Sequence, residues 1–100
     1  MGSAVNSTVP KYRVRIYLKV AFDESLDRIR EMIENEAAGI RARHPQILNG
    51  PKVDGMTELT SGGYEVCFSV NCDGKYQRKM QRAMRDELRK LFLKYEIKRG

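Results

Sequence analysis

The chain has 100 residues, 41% of them hydrophobic, and a net charge of +6 from 19 Lys and Arg against 13 Asp and Glu. That length accommodates one domain with a single two-layer core, and no apolar run approaches the ~20 residues of a bilayer span. The opening MGSAVNSTVP lacks the basic start and apolar stretch of a secretory signal, so the expectation is a soluble unit.

Residues 1–11 read as a flexible linker. From Tyr12 the sequence YRVRIYLKVAF alternates: Tyr12, Val14, Ile16, Leu18, Val20 and Phe22 share one face, while Arg13, Arg15, Tyr17 and Lys19 share the other. This is a strand with one buried face and one open face. Asp23 stands where a helix N-cap belongs, and Glu24 suits the positive end of the helix dipole. Leu26, Ile29, Ile33, Ala37 and Ile40 then recur at spacings of three and four, giving one apolar helix face. Pro45 disfavours helical geometry at His44, so the helix ends there. The segment HPQILNGPKV is turn-forming, yet it carries Ile47 and Leu48, and both are expected to plug the bottom of the core. A weaker strand follows over 51–60, with a bulge at Gly55. Ser61-Gly62-Gly63 supplies a hairpin turn. YEVCFSVNC alternates again, with Tyr64, Val66, Phe68, Val70 and Cys72 inward and Glu65, Cys67, Ser69 and Asn71 on the open face. From Lys75 the chain is helical, its apolar stripe formed by Tyr76, Met80, Ala83 or Met84, Leu88, Leu91 and Tyr95. A short last strand is expected around Ile97.

The order is β-α-β-β-α-β with the last strand short or cut. Two helices on one face of an antiparallel sheet make an α+β, ferredoxin-like sandwich over residues 12–98. The first and third strands, which alternate best, are the central ones in that arrangement.

The residues argue against chemistry. The loop after the first strand, FDESLD, holds Asp23, Glu24 and Asp27, which repel a phosphate, whereas a phosphoryl hydrolase of the acylphosphatase kind needs backbone N–H groups and an arginine around an anion there. The lone histidine, His44, lies beside a proline and has no nucleophile paired with it. Cys67 and Cys72 are five apart, which on a strand sends their side chains to opposite faces. With one histidine and no C-x-x-C, the chain lacks the roughly four converging ligands of a zinc site. No catalytic, cofactor-binding or metal-ligating set is expected, and free thiols fit a reducing cytoplasm. RNA binding through the open face is poorly supported. Arg13, Arg15, Tyr17 and Lys19 offer one aromatic side chain, and Glu65 sits among them, so there is no stacking platform and no specific nucleic acid is expected. Between Lys75 and Lys94, however, Lys75, Arg78, Arg82, Arg85 and Arg89 fall on one helical stripe away from the apolar face. This is either a solvated exterior or an electrostatic surface.

VAFDESLDRIREMI followed by HPQILNGPKV resembles the C-terminal cytoplasmic domain of the small-conductance mechanosensitive channel family. His44, Pro45, Ile47, Leu48, Pro51 and Val53 match its pattern H-P-x-[IV]-L-x-x-P-x-V, and the resemblance covers about residues 12 to 98. AVNST resembles the tail of the barrel that precedes this domain in the family, and Glu96-Ile97 stands where the family has Gly-Ile. The resemblance implies a non-catalytic role on the cytoplasmic side of the inner membrane. There, copies from neighbouring subunits form a heptameric vestibule through which ions reach the pore, and the stripe of Lys75, Arg78, Arg82, Arg85 and Arg89 would face the vestibule interior or its side openings. The isolated fragment, lacking the family's terminal barrel, is expected to associate weakly at most. The alternative is a basic ferredoxin-like module that binds RNA or an acidic protein.

Overall fold

The computed structural model describes residues 11–100; the expected linker lies almost wholly outside the described residues, and its last member, Lys11, already belongs to the first strand. The elements are β1 (Lys11–Ala21), α1 (Leu26–Arg43), β2 (Ile47–Leu59), β3 (Gly63–Asp73) and α2 (Gln77–Lys94), with a 3-10 turn at Gly74–Tyr76 leading into α2. The three strands form an antiparallel sheet in the order β1-β3-β2. Among the described residues a bridge between Val20 and Arg99 lies on the outer side of β1, in the place of a fourth strand. There Ala21 N–H donates to Lys98 C=O (3.0 Å) and Gly100 N–H to Lys19 C=O (3.4 Å). This is an α+β, ferredoxin-like arrangement, β-α-β-β-α with a bridge at Arg99.

The period of two is realised along β1 and β3. Val14, Ile16, Leu18 and Val20 are buried, as are Tyr64, Val66, Phe68, Val70 and Cys72. Ile29, Met32, Ile33 and Ile40 of α1 and Met80, Met84, Leu88, Leu91 and Phe92 of α2 close the core over them. Phe68 meets Phe92 edge-on, with ring centroids 6.2 Å apart, a geometry that places a positive ring edge on a negative face. The two strands also approach so closely at Gly63 that a Cβ there would lie 1.8 Å from the Val20 carbonyl oxygen.

Several expectations are corrected. The turn after β1 occupies residues 22–24, so the N-cap of α1 is Ser25, whose Oγ accepts from Arg28 N–H at 3.3 Å. Asp23 instead pairs with Lys98 (Nζ–Oδ2 2.8 Å) and Glu24 Oε2 accepts from Lys98 N–H (2.7 Å), so both acids hold the returning C-terminal segment. Tyr12 and Phe22, at the two ends of the β1 stripe, are exposed. β2 begins at Ile47 rather than Pro51, and only half of the Ile47-Leu48 pair is core: Ile47 is 8% exposed, Leu48 56%. Once this stretch is a strand, adjacent residues must face opposite ways. β2 carries four register irregularities against β3, one of them at Gly55. Another brackets Gly50, whose φ of +96° belongs to glycine and whose absent Cβ would lie 3.1 Å from Ser69 C=O.

α2 ends in a turn that the Glu96-Ile97 pair makes legible. Ile97 N–H donates to Phe92 C=O (2.9 Å) and Glu96 N–H to Leu93 C=O (3.3 Å), the bond pattern of a Schellman cap. Glu96 occupies its left-handed position at φ +55°, and Ile97 is buried with Phe92 beneath it.

Candidate functional site

Three groups of polar side chains stand out, and the fold assigns them different places. The first is the α2 stripe. Lys75, Arg78, Arg82, Arg85 and Arg89 are all exposed, because Met80, Met84, Leu88 and Leu91 commit the opposite face of the helix to the core. Among the described residues none of the five makes an ion pair; the acids that are paired engage Arg28, Arg43, His44, Lys94 and Lys98. The ammonium groups of Lys75 and Lys79 sit 5.4 and 5.9 Å from the centroid of the Tyr76 ring, which anchors the stripe at its N-terminal end through cation–π attraction. Arg82 and Arg85 line a shallow depression of ≈ 380 Å³ with Gln81 and Asp86.

The second group is the open sheet face. Arg13, Arg15, Tyr17 and Lys19 are exposed on β1, as expected. The β3 members differ. Cys67 and Ser69 are buried, because β3 is the central strand and is flanked on both sides. Ser69 lies between Arg15 and Lys52, and Cys67 between Tyr17 and Gly55. Asp54 seals the gap, accepting from Ser69 Oγ (2.9 Å) and Cys67 Sγ (3.7 Å). Burial, and then the Asp54 charge, push the Cys67 thiol above its ordinary pKa, so it is held protonated and poorly nucleophilic. Cys72, on the core face, is pushed up by burial in the same way, and both thiols are free.

The third group was not legible as a site. Glu87 of α2, 7% exposed, receives Arg43 Nε (3.0 Å) and Nη2 (2.7 Å), and His44 Nε2 lies 2.8 Å from its Oε2. The Arg43 guanidinium, against the opposing effect of burial, draws the Glu87 carboxyl down to about 2, with His44 adding to the shift. The sequence carries a signal for this burial: Glu87 falls in register with Met80, Met84 and Leu91 at spacings of four, three and four. What it cannot supply is the partner, which arrives from the end of α1.

The geometry does not merge the α2 stripe with the open face. Helices cover one side of the sheet, and the β1 cations lie on the other. At the first half of β1 a groove of ≈ 200 Å³ is lined by Tyr12, Arg13, Val14, Arg15 and Tyr17 with Gln77 and Gln81 of α2, but by none of the stripe cations. Among the described residues there is no cluster of three or more His, Cys, Asp or Glu side chains able to hold a metal ion. Nor is any helix among them long and apolar enough to cross a membrane. In comparisons with known proteins, no family model and no curated protein matches the chain.

Proposed function

We propose that this chain is a cytoplasmic domain of a mechanosensitive channel, a non-catalytic module that assembles with neighbouring copies, seven in the complete channel, into the vestibule beneath the pore at the inner membrane. The observation that carries the reading is the joint formed by HPQILNGPKV. In it, His44 caps α1 and bonds Glu87, Ile47, Pro51 and Val53 are buried at the start of β2, and the whole lies within a β-α-β-β-α unit followed by a bridge from Arg99 to Val20. Four of the six motif residues, His44, Ile47, Pro51 and Val53, thus meet at one structural junction. The exposed cations of α2 support the electrostatic side of the reading. An unpaired positive stripe concentrates anions and depletes cations over a screening distance of about 8–10 Å at physiological salt, and it biases permeation without a binding pocket.

The test is to place the domain beneath the membrane region of a channel of this family and reverse Arg78, Arg82 and Arg85 to Glu. Reversal potentials in asymmetric salt are expected to move toward cation preference, most at low ionic strength. An assembled, tension-gated channel whose reversal potential is unchanged at every salt concentration would refute the vestibule role of the stripe. Failure of the domain to assemble with its neighbours would refute the channel reading itself.

A further inference from the structure

The two helices divide the free charge of the chain by sign. Each arginine of α1 is engaged within the molecule: Arg28 with Glu24 (2.9 Å), Arg43 with Glu87 (2.7 Å), and Arg30 and Arg41 with the carbonyls of Val53 (3.2 Å) and Gly50 (3.0 Å). Asp27, Glu31 and Glu34 of the same helix are exposed, and among the described residues none of them makes an ion pair. On α2 the signs reverse. Arg82, Arg85 and Arg89 are exposed and unpaired, and Asp86 is the one exposed acid of that helix. Residues 1–10 contain no Asp, Glu, Lys or Arg, so their side chains neutralise neither stripe.

The stripes lie on opposite flanks of the helical layer. Arg30 and Arg41 hold α1 over β2, α2 runs beside β1, and β1 and β2 are the outer strands of the described sheet. The helices face each other through Glu36 with Lys94 and Arg43 with Glu87, pairs that also make them antiparallel. At about 3.6 residues per turn, nine residues amount to two and a half turns. Asp27 stands nine before Glu36, Glu34 nine before Arg43 and Arg85 nine before Lys94, so these three point away from the seam between the helices.

The spacing selects the occupant. The acids step by four and three residues along α1. Read against the direction of α2, the cations also step by four and three, from Arg89 to Arg85 to Arg82. When α1 of one copy lies antiparallel beside α2 of the next, a single register sets Asp27 against Arg89, Glu31 against Arg85 and Glu34 against Arg82. A two-fold contact brings one flank against itself and sets like charges together, which opposes it.

We infer that the acidic flank of α1 and the basic flank of α2 dock on each other in neighbouring copies of this chain. The contact is head-to-tail, so it repeats, and where its rotation closes it makes a ring. It deepens the assembly proposed above and rests on that reading for its closure, whereas the pairing of the stripes is tested on the chain alone. Lys75, Arg78 and Lys79 lie beyond the last pair, and the positive surface they form stays uncovered.

Exposed ion pairs are individually weak, so the experiment traps the contact. Full chains carrying Glu31→Cys and Arg85→Cys are mixed in a glutathione redox buffer, with wild type as the blank, since both native thiols are buried. At low salt the mixed disulfide is expected to exceed either homodimer by at least about tenfold, and to lose that excess as salt rises. Charge reversal gives a second reading, by sedimentation at high concentration. Chains with Asp27→Lys, Glu31→Lys and Glu34→Lys, or with Arg82→Glu, Arg85→Glu and Arg89→Glu, are each expected to be monomeric. An equimolar mixture of the two is expected to associate, as is a chain bearing all six changes. Mixed disulfide at the frequency of chance, or six changes in a folded chain that fail to restore association, overturns the contact and leaves the channel reading to its own test. So does a hexaglutamate peptide or a uridine oligonucleotide that binds α2 more tightly than a second copy does.

Discussion

The Glu87 carboxylate receives the Arg43 guanidinium through both oxygens, Oε1 from Nη2 at 2.7 Å and Oε2 from Nε at 3.0 Å. One contact ties the last turn of α1 to the middle of α2. The two helices also meet through Glu36, which accepts from Tyr95 Oη (2.7 Å) and Lys94 Nζ (3.0 Å). Only the Glu87 carboxylate is buried, however, and a buried carboxylate is stabilising only while its partners are present.

That contact predicts an acid limb in stability. The folded carboxyl titrates at about 2 against an ordinary 4.5, so its contribution is complete above the unfolded value. It declines as pH falls below about 4.5 and is gone once pH has passed through the folded value. Discounting for the half-exposed Arg43, the effect at neutral pH is about 2 kcal/mol. Urea melts of Glu87→Gln are expected to show that loss at pH 7 and little of it at pH 2. An equal deficit at both pH values would mean that the pairing carries no charge effect.

The cap of α2 predicts a gain. Glu96 holds a left-handed conformation, which costs a residue bearing a Cβ roughly 1 kcal/mol relative to glycine. Glu96→Gly is expected to raise the melting temperature by about 4–8 °C, the shift that ~1 kcal/mol produces in a domain of this size. Glu96→Ala keeps the Cβ and is expected to give none of this gain. Matching melts for the two variants would place the effect in the lost side chain instead.

The start of β2 predicts a contrast between neighbours. Ile47→Ala removes a buried side chain and is expected to cost about 2–4 kcal/mol. Leu48→Ala, at an exposed position, is expected to cost under about 0.5 kcal/mol. Chemical denaturation of the two variants side by side checks the facing of the strand, and a reversed ranking would require β2 to be turned over.

How much of this was legible in the sequence depends on how local its cause is. β1 and β3 announced themselves because alternation is a property of adjacent residues. The helix apolar faces did so too, apart from Met32 and Phe92. Leu48 was misplaced because HPQILNG reads as turn and only the pairing with β3 makes it strand. Ser69 and Cys67 looked open because their face is open on β1, and it is the flanking strands and Asp54 that cover them. Of the candidate cations, the α2 stripe was readable from helical spacing.

The pairing of β1 with β3 carries a consequence for synthesis. Lys11 waits for Asp73 and Ala21 for Gly63, so each rung closes a loop of roughly forty to sixty residues, an entropic cost that must be met before the contact forms. β2 and β3, by contrast, meet across a short turn and can form without it. On a ribosome adding about 5–20 residues per second, the first strand is made several seconds before β3 exists. During that interval its alternating arginines, Arg13 and Arg15, act as gatekeepers against pairing with another nascent chain.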